Sequence, residues 1–144
     1  MTDVAPGSRL WGTWEIVSFS ARLPDGHVIE PWGAHPAGRI TYDADGHVAT
    51  LLMPERRNEA DGRASPTDMQ AEFTAYFGTY TVDVTRQIVT HKVTASLSAA
   101  HASGDLQRHY ELRDGTLILT FTRVQDGLPV THSLVWKRIS NLPH

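Results

Sequence analysis

The chain has 144 residues, of which 40% are hydrophobic and 20% charged, and its formal net charge is -3. This composition is typical of one globular domain, and it predicts neither a basic surface for nucleic acid nor a polybasic membrane patch. The chain has no cysteine, which excludes disulfides, thiolate nucleophiles and cysteine-based zinc sites.

The N-terminus has no basic patch followed by an apolar run, so no signal peptide is expected. No apolar run approaches the roughly 20 residues that a membrane helix needs. We therefore expect a cytoplasmic protein without a membrane partner. Residues 1–8 are expected to form a flexible arm, and residues 9–144 a single domain.

Short stretches of β-branched and aromatic residues, separated by turns rich in glycine and aspartate, occupy most of the chain. The predicted strands are Leu10–Ala21, Gly26–Glu30, Arg39–Tyr42, His47–Met53, Tyr80–Val84, Gln87–Ser96, Leu106–Leu112, Thr116–Val124 and Val130–Ile139. This even spacing predicts an antiparallel meander of about eight or nine strands. A sheet of that size tends to close into a barrel that can hold one small ligand.

One segment between the strands has helical spacing instead. Ser65 and Pro66 suit the N-cap and the first helical position, and Phe73 and Tyr76 lie three residues apart on an apolar face. We predict one short helix over residues 66–77, which would be either a lid over the barrel mouth or a plug at its base.

The strand Leu106–Leu112 alternates strictly, so Leu106, Arg108, Tyr110 and Leu112 share one face. A buried arginine is costly unless something pairs with it. Arg108 therefore has either a fixed partner inside the barrel or a place in a wet pocket that binds a ligand.

Two histidines interrupt the apolar faces of other strands in the same way. His91 lies among valines, and His132 shares its face with Leu134 and Trp136. Taken singly, a histidine or tyrosine in this position is more often a satisfied core residue. Paired in meander order, the strands would direct His91, Arg108, Tyr110 and His132 into one apolar hollow, which is the usual form of a small-molecule site.

Other kinds of site have weaker support. The chain has eight histidines, but it contains neither HxxxH nor HExxH, and a metal site at His91 and His132 lacks a third ligand. No phosphate-binding glycine motif opens a helix, and Ser103 lacks the elbow motif of serine hydrolases. We predict no metal ion and no cofactor.

Motifs at both ends of the chain resemble those of a known family. In lipocalin-type barrels a Gly-x-Trp motif of the first strand packs under a basic residue of the last strand, and Trp14 and Arg138 are similar to that pair. The chain resembles the small bacterial lipocalin-like domain family along nearly its whole length. The matching motifs are Gly12-Thr13-Trp14, Pro31-x-Gly33, Gly38-x-Ile40-x-Tyr42, Asp45-Gly46, Tyr76-x-Gly78-x-Tyr80, Val89-Thr90-His91-x-Val93, Arg108-x-Tyr110-x-Leu112 and Leu134-x-Trp136-x-Arg138.

The resemblance implies a mainly all-β fold, a single antiparallel lipocalin-like β-barrel with an apolar cavity, to which the predicted helix is added. It does not imply one reaction, since such barrels include cofactor-free cyclases and isomerases as well as proteins of unknown function. The segment 98–104 departs from the family, because the proline and tryptophan that often follow the histidine-bearing strand are absent.

We therefore expect a small-molecule-binding barrel, and first a cofactor-independent cyclase, isomerase or dehydratase acting on an apolar, natural-product-like substrate. Arg108 would stabilise an enolate or carboxylate, while His91 or His132 moves a proton and Tyr110 assists. The predicted catalytic residues are His91, Arg108, Tyr110 and His132, and the predicted substrate-binding residues are Trp136, Tyr42, Tyr80, Phe121 and Phe73.

Two alternatives remain open: a carrier that binds an apolar acid without turnover, and a structural module whose cavity is filled by side chains. The expected partner is a small apolar organic ligand, and the protein is expected to be a monomer or a homodimer.

Overall fold

The computed structural model describes residues 7–55, 74–97 and 104–140. After a 3-10 turn at Ser8–Leu10, the strands are β1 (Gly12–Arg22), β2 (Val28–Ile29), β3 (Ala37–Tyr42), β4 (His47–Met53), β5 (Thr74–Asp83), β6 (Ile88–Ser96), β7 (Asp105–Arg113), β8 (Thr116–Gln125) and β9 (Leu128–Ser140). The predicted strands recur, most with small shifts of their ends, but β5 begins at Thr74 instead of the predicted Tyr80.

Eight of these strands close into an antiparallel barrel, and β2 is an extra strand beside β1. Each strand from β3 to β8 pairs with the next one along the chain. The last strand, β9, pairs with β1, in a register that runs from Trp14↔Arg138 to Arg22↔Thr131. Closure removes the free sheet edges that would otherwise be open to other chains. The predicted mainly all-β barrel is confirmed.

The interior of the barrel follows from the alternation of side chains along each strand. In β4, for example, Val48, Thr50 and Leu52 are buried and the residues between them are exposed. The buried apolar side chains of the barrel strands form one core cluster, which continues into the 3-10 turn through Leu10. The same alternation turns polar residues inward wherever they occupy these positions.

One end of the barrel is closed by Trp14 and Arg138. The indole Nε1 of Trp14 donates a hydrogen bond to the carbonyl of Leu10 at 2.9 Å, and the guanidinium carbon of Arg138 lies 4.2 Å from the centre of the Trp14 ring. Arg138 also donates to the carbonyls of Trp11 and Arg9. The predicted pairing of Trp14 with Arg138 is confirmed, and it identifies the closed end.

The helix predicted over residues 66–77 is wrong in the part of that segment that the structure describes, residues 74–77. Tyr76 and Phe77 lie in β5, where inward and outward side chains alternate, while residues 66–73 lie outside the described residues. Gly78 then sits at a bulge between β5 and β6, where a Cβ atom would collide with the carbonyl oxygen of Lys92. The position of Tyr76 in the sequence fits both a helical and an alternating pattern. The segment is a strand because it pairs with β4 and β6. No helix in the described ranges is long and apolar enough to span a membrane.

Candidate functional site

A cavity of about 100 Å³ lies within the barrel. Its apolar walls include Phe19, Trp32, Ile40, Leu52, Leu119, Phe121, Leu134 and Trp136, and its polar wall residues are Thr50, Thr74, Tyr76, His91, Arg108 and Arg123. A mostly apolar hollow with a few convergent polar groups is the usual form of a ligand site. Its volume is below that of the apolar cavity of about 150 Å³ that can bind benzene.

His91 projects from β6 into this hollow and joins two tyrosines. Its Nε2 lies 2.7 Å from the hydroxyl of Tyr42 on β3, and its Nδ1 lies 2.6 Å from the hydroxyl of Tyr76 on β5. Burial, and after it the charge of Arg108, lowers the pKa of His91 to about 3. His91 is therefore a neutral imidazole at physiological pH, with both nitrogens engaged.

The two tyrosines differ in where they lie. Tyr42 is completely buried and does not line the cavity, whereas Tyr76 forms part of its wall. Burial raises the pKa of both phenols, so both stay protonated at neutral pH. The three residues form a continuous polar chain from the packed core to the cavity surface.

Arg108 brings a positive charge to the same wall. Its guanidinium carbon lies 3.8 Å from the ring centre of Phe121, and Nη1 donates to the carbonyl of Gln107 at 3.1 Å. No carboxylate pairs with Arg108 among the described residues, and no Asp or Glu of that part of the chain lines the cavity. Arg123, whose guanidinium carbon lies 5.0 Å from the Phe121 ring centre, adds a second positive charge. The described wall is thus electropositive.

His132 is buried next to the cavity without forming its wall. Its ring stacks on Phe121, with ring centres 4.8 Å apart, and on Phe19, with ring centres 5.7 Å apart. Neither ring nitrogen has a hydrogen-bond partner among the described residues. Burial lowers the pKa of His132, and the charges of Arg123 and Arg108 act in the same direction. Its contact with the cavity is therefore indirect, through the two phenylalanines.

The structure brings together only some of the residues predicted from the sequence. His91, Arg108, Phe121 and Trp136 line the cavity. Tyr42 reaches it through His91, and Phe73 lies outside the described residues.

Tyr110 and Tyr80 also point inward, but they lie nearer the closed end. The charges acting on Tyr110 are those of Arg9 and Asp83, while burial raises its pKa. The hydroxyl of Tyr80 donates to the carbonyl of Asp43 at 2.6 Å, away from the cavity. Strand alternation identified which face these tyrosines occupy, but it carried no information on their height in the barrel.

The prediction missed most of the apolar wall and four polar cavity residues, which are Thr50, Thr74, Tyr76 and Arg123. Thr50 lies between Val48 and Leu52 on the buried face of β4, which is the same signal that identified His91. It lies directly across from Tyr76 in the β4–β5 register, and a hydrogen bond between the two side chains lowers the pKa of Tyr76 against the effect of burial. Tyr76 was hidden by the helical interpretation of its segment.

The described residues contain no group of three histidine, cysteine, aspartate or glutamate side chains placed to hold a metal ion. The chemistry that this site offers through its own residues is hydrogen bonding, charge stabilisation and exclusion of water from an apolar hollow.

The buried imidazole of His91 predicts a loss of stability in acid. Because the pKa of His91 falls from the ordinary 6.5 to about 3 in the folded state, the unfolded chain binds one more proton between these values. The contribution of the neutral His91 to the free energy of unfolding is therefore fully present above pH 6.5, and it declines as the pH falls towards 3. We expect urea unfolding to show a loss of about 2 kcal/mol between pH 7 and pH 5.

The His91→Gln variant should lose most of this slope, whereas His109→Gln, which removes an exposed histidine from the outer face of β7, should keep it. An unchanged slope in His91→Gln would contradict the assignment of a neutral, buried imidazole to this position.

The chain is similar to a family of known proteins and, more distantly, to a solved structure. A solved structure of the siderocalin Ex-FABP, described as functioning through dual ligand specificities, is similar at 12% identity over 92% of this chain and 72% of that chain, with a TM-score of 0.34. No curated protein matches the chain. The family described as lipocalin-like domain matches residues 11–139, which include every barrel strand from β1 to nearly the end of β9. The chain therefore belongs to the lipocalin-like domain family.

Proposed function

We propose that the barrel binds a small, largely apolar ligand through an acidic group held by Arg108. The observation that carries this proposal is the guanidinium of Arg108 on the cavity wall without a carboxylate partner among the described residues. A charged group withdrawn from water is costly unless an opposite charge or several hydrogen bonds compensate it. An anionic ligand supplies that compensation, and the apolar walls take up the rest of the molecule.

The remaining wall residues support the same ligand class. Arg123 adds positive charge, and the rings of Phe19, Trp32 and Trp136 offer apolar surface. A carboxylate bound by a guanidinium forms a charge-assisted hydrogen bond, which is roughly twice as strong as a neutral one. The acid is therefore expected to set the orientation of the ligand, with its apolar part directed along the walls towards the open end.

The test is a panel of apolar acids, each paired with its primary amide and its alcohol, measured by thermal shift and by quenching of tryptophan fluorescence. Acids are expected to bind saturably and at least about tenfold more tightly than their amides. Equal binding of acid and amide would show that no charge is recognised and would overturn the proposal.

A second candidate function is cofactor-free catalysis of the cyclase, isomerase or dehydratase type on an apolar, natural-product-like substrate. The Tyr42–His91–Tyr76 chain favours it, because it brings a phenol to the cavity wall that also carries Arg108. Such a pair suits the stabilisation of an enolate oxygen.

Carrier and enzyme are distinguished by hydrogen exchange at carbon. Incubation of ligands that carry a carbonyl in deuterated buffer, followed by NMR, detects enolate formation without knowledge of the product. An enzyme is expected to exchange the hydrogens next to the carbonyl faster than buffer does, and Arg108→Leu should lose this rate. Tight binding without exchange for every bound ligand favours the carrier.

A further inference from the structure

The indole nitrogen of Trp136 is a buried hydrogen-bond donor without an acceptor. Trp136 lies on β9 with only 1% of its surface exposed, and its Nε1 has no hydrogen-bond partner among the described residues. Buried tryptophan N–H groups usually have a partner, and one that lacks it costs free energy. Trp14 is the usual case in the same barrel, since its Nε1 donates to the carbonyl of Leu10 at 2.9 Å. The missing acceptor of Trp136 therefore needs an explanation.

The position of Trp136 on the cavity wall allows a ligand to supply that acceptor. His132 also has unpartnered ring nitrogens within the described part of the chain, but its ring is enclosed between Phe19 and Phe121 and does not form the wall. A ligand in the cavity contacts the Trp136 ring directly. Because an indole N–H only donates, the complementary group of the ligand is an acceptor such as a carbonyl oxygen.

Trp136 and Arg108 belong to different levels of the same cavity. The ring of Phe121, over which Arg108 lies, is on the residue paired with His132, and Trp136 is two inward positions further along β9, towards Arg138 at the closed end. The acceptor for Trp136 therefore lies on the closed-end side of the acid that Arg108 holds. Since the cavity is smaller than one that binds benzene, both polar groups belong to one short segment of the ligand.

We propose that Trp136 is a specificity-determining residue whose indole N–H donates to a second oxygen of the ligand, a carbonyl within a few bonds of the acid. The ligand class is then an apolar oxo acid, in which Arg108 binds the carboxylate and Trp136 binds the carbonyl. The apolar remainder of the ligand extends towards the open end. The inference rests on the proposed binding of an acid and narrows the class of acids that the barrel selects.

The first test observes the indole protons of the wild-type protein. Proton–nitrogen-15 NMR resolves the Nε1–H groups of the four tryptophans, and through-bond spectra assign them. The Trp136 proton is expected to move downfield when an oxo derivative of decanoate binds, and not when decanoate itself binds. The Trp14 proton, which already has its acceptor, should not move. An indole proton of Trp136 that no bound oxo acid shifts in this way would overturn the inference.

The second test varies the ligand and leaves the protein unchanged. Titration calorimetry compares decanoate with its 2-oxo, 3-oxo and 4-oxo derivatives. At one of these positions at least, the wild-type protein is expected to bind the oxo acid about tenfold more tightly than decanoate, because the carbonyl satisfies a buried donor. The absence of a gain at all three positions would overturn the role of Trp136.

A matched pair of variants identifies the donor. Trp136→Phe removes the N–H group and keeps an aromatic ring, so it should lose the gain from the carbonyl and keep the preference for decanoate over its amide. The control is Trp11→Phe, the same chemical change at a tryptophan that packs against the core and does not line the cavity. This control should keep the gain. A gain retained in Trp136→Phe would contradict the proposal, and if that variant does not fold, the two wild-type tests decide.

The outcomes for this inference and for the proposed function are distinct. If wild-type protein prefers acids to amides but no carbonyl adds affinity, the acid site stands and the role of Trp136 fails. If wild-type protein binds no acid, both fail.

Discussion

The Arg108→Leu variant is expected to lose about tenfold to 100-fold in affinity for an apolar acid, while its melting temperature without ligand does not fall. Arg108 lies on the cavity wall over the Phe121 ring with no described carboxylate partner, so the folded protein gains little from its charge. A hydrogen bond between charged groups contributes about 1.5–3 kcal/mol, which corresponds to a tenfold to more than hundredfold change in affinity. Titration calorimetry with one acid and its amide measures this loss, which should be confined to the acid.

The control is Arg39→Leu, because Arg39 is an exposed arginine on the outer surface, 3.7 Å from Glu15, and does not line the cavity. Its affinity for the acid should match that of the wild type. If Arg108→Leu instead unfolds the protein, Arg108 is a structural partner, and a barrel without a ligand-binding role gains support. Unchanged affinity in Arg108→Leu would place the anchor elsewhere.

The Arg138→Met variant is expected to lose about 3 kcal/mol of unfolding free energy without a change in ligand affinity. Arg138 closes the barrel by stacking on Trp14 and by donating to two backbone carbonyls, those of Arg9 and Trp11. A cation over an indole contributes about 0.5–2 kcal/mol, and carbonyls left without a donor add a further penalty. Methionine keeps much of the apolar stem but supplies neither the charge nor the donors.

Urea unfolding of Arg138→Met and of Arg39→Met measures this effect, because the two variants make the same chemical change at the closed end of the barrel and on its outer surface. Arg39→Met should lose less than about 1 kcal/mol, since exposed ion pairs contribute little. Equal losses in the two variants would show that closure by Arg138 does not stabilise the barrel. Arg108→Leu is thus expected to weaken binding without lowering stability, whereas Arg138→Met is expected to lower stability without weakening binding.

These expectations also bear on whether the barrel is a carrier or an enzyme. The sequence favoured His91 or His132 as the group that moves a proton, because each is a histidine on an apolar strand face. In the structure His91 has a pKa of about 3 and is held by two tyrosines. The environment that the described residues form around His91 therefore suits a fixed hydrogen-bonding role at neutral pH better than the role of a general base.

Strand alternation predicted the inward direction of His91 and Arg108, because the side-chain direction in a regular strand depends only on local backbone geometry. It failed in β1, where alternation from Trp14 would place Ser18 inside, but a bulge between Ile16 and Ser18 buries Phe19 instead. Arg108 on the cavity wall and His109 outside follow from that rule. The same rule applied to β4 would have identified Thr50. Alternation did not identify Tyr76 as an inward residue, because apolar residues three and four apart in the preceding segment fit a helix equally well.

The sequence by itself therefore determined an all-β chain, the inward placement of His91 and Arg108, and the Trp14–Arg138 closure, all of which depend on local periodicity and short motifs. Only the tertiary structure decided which inward residues share one height in the barrel. Tyr42 and Tyr76 meet His91 from 49 and 15 residues away in the chain, while Tyr110 lies nearer the closed end. Strand register and tilt set those heights through hydrogen bonds between strands, and no pattern within a single strand records them.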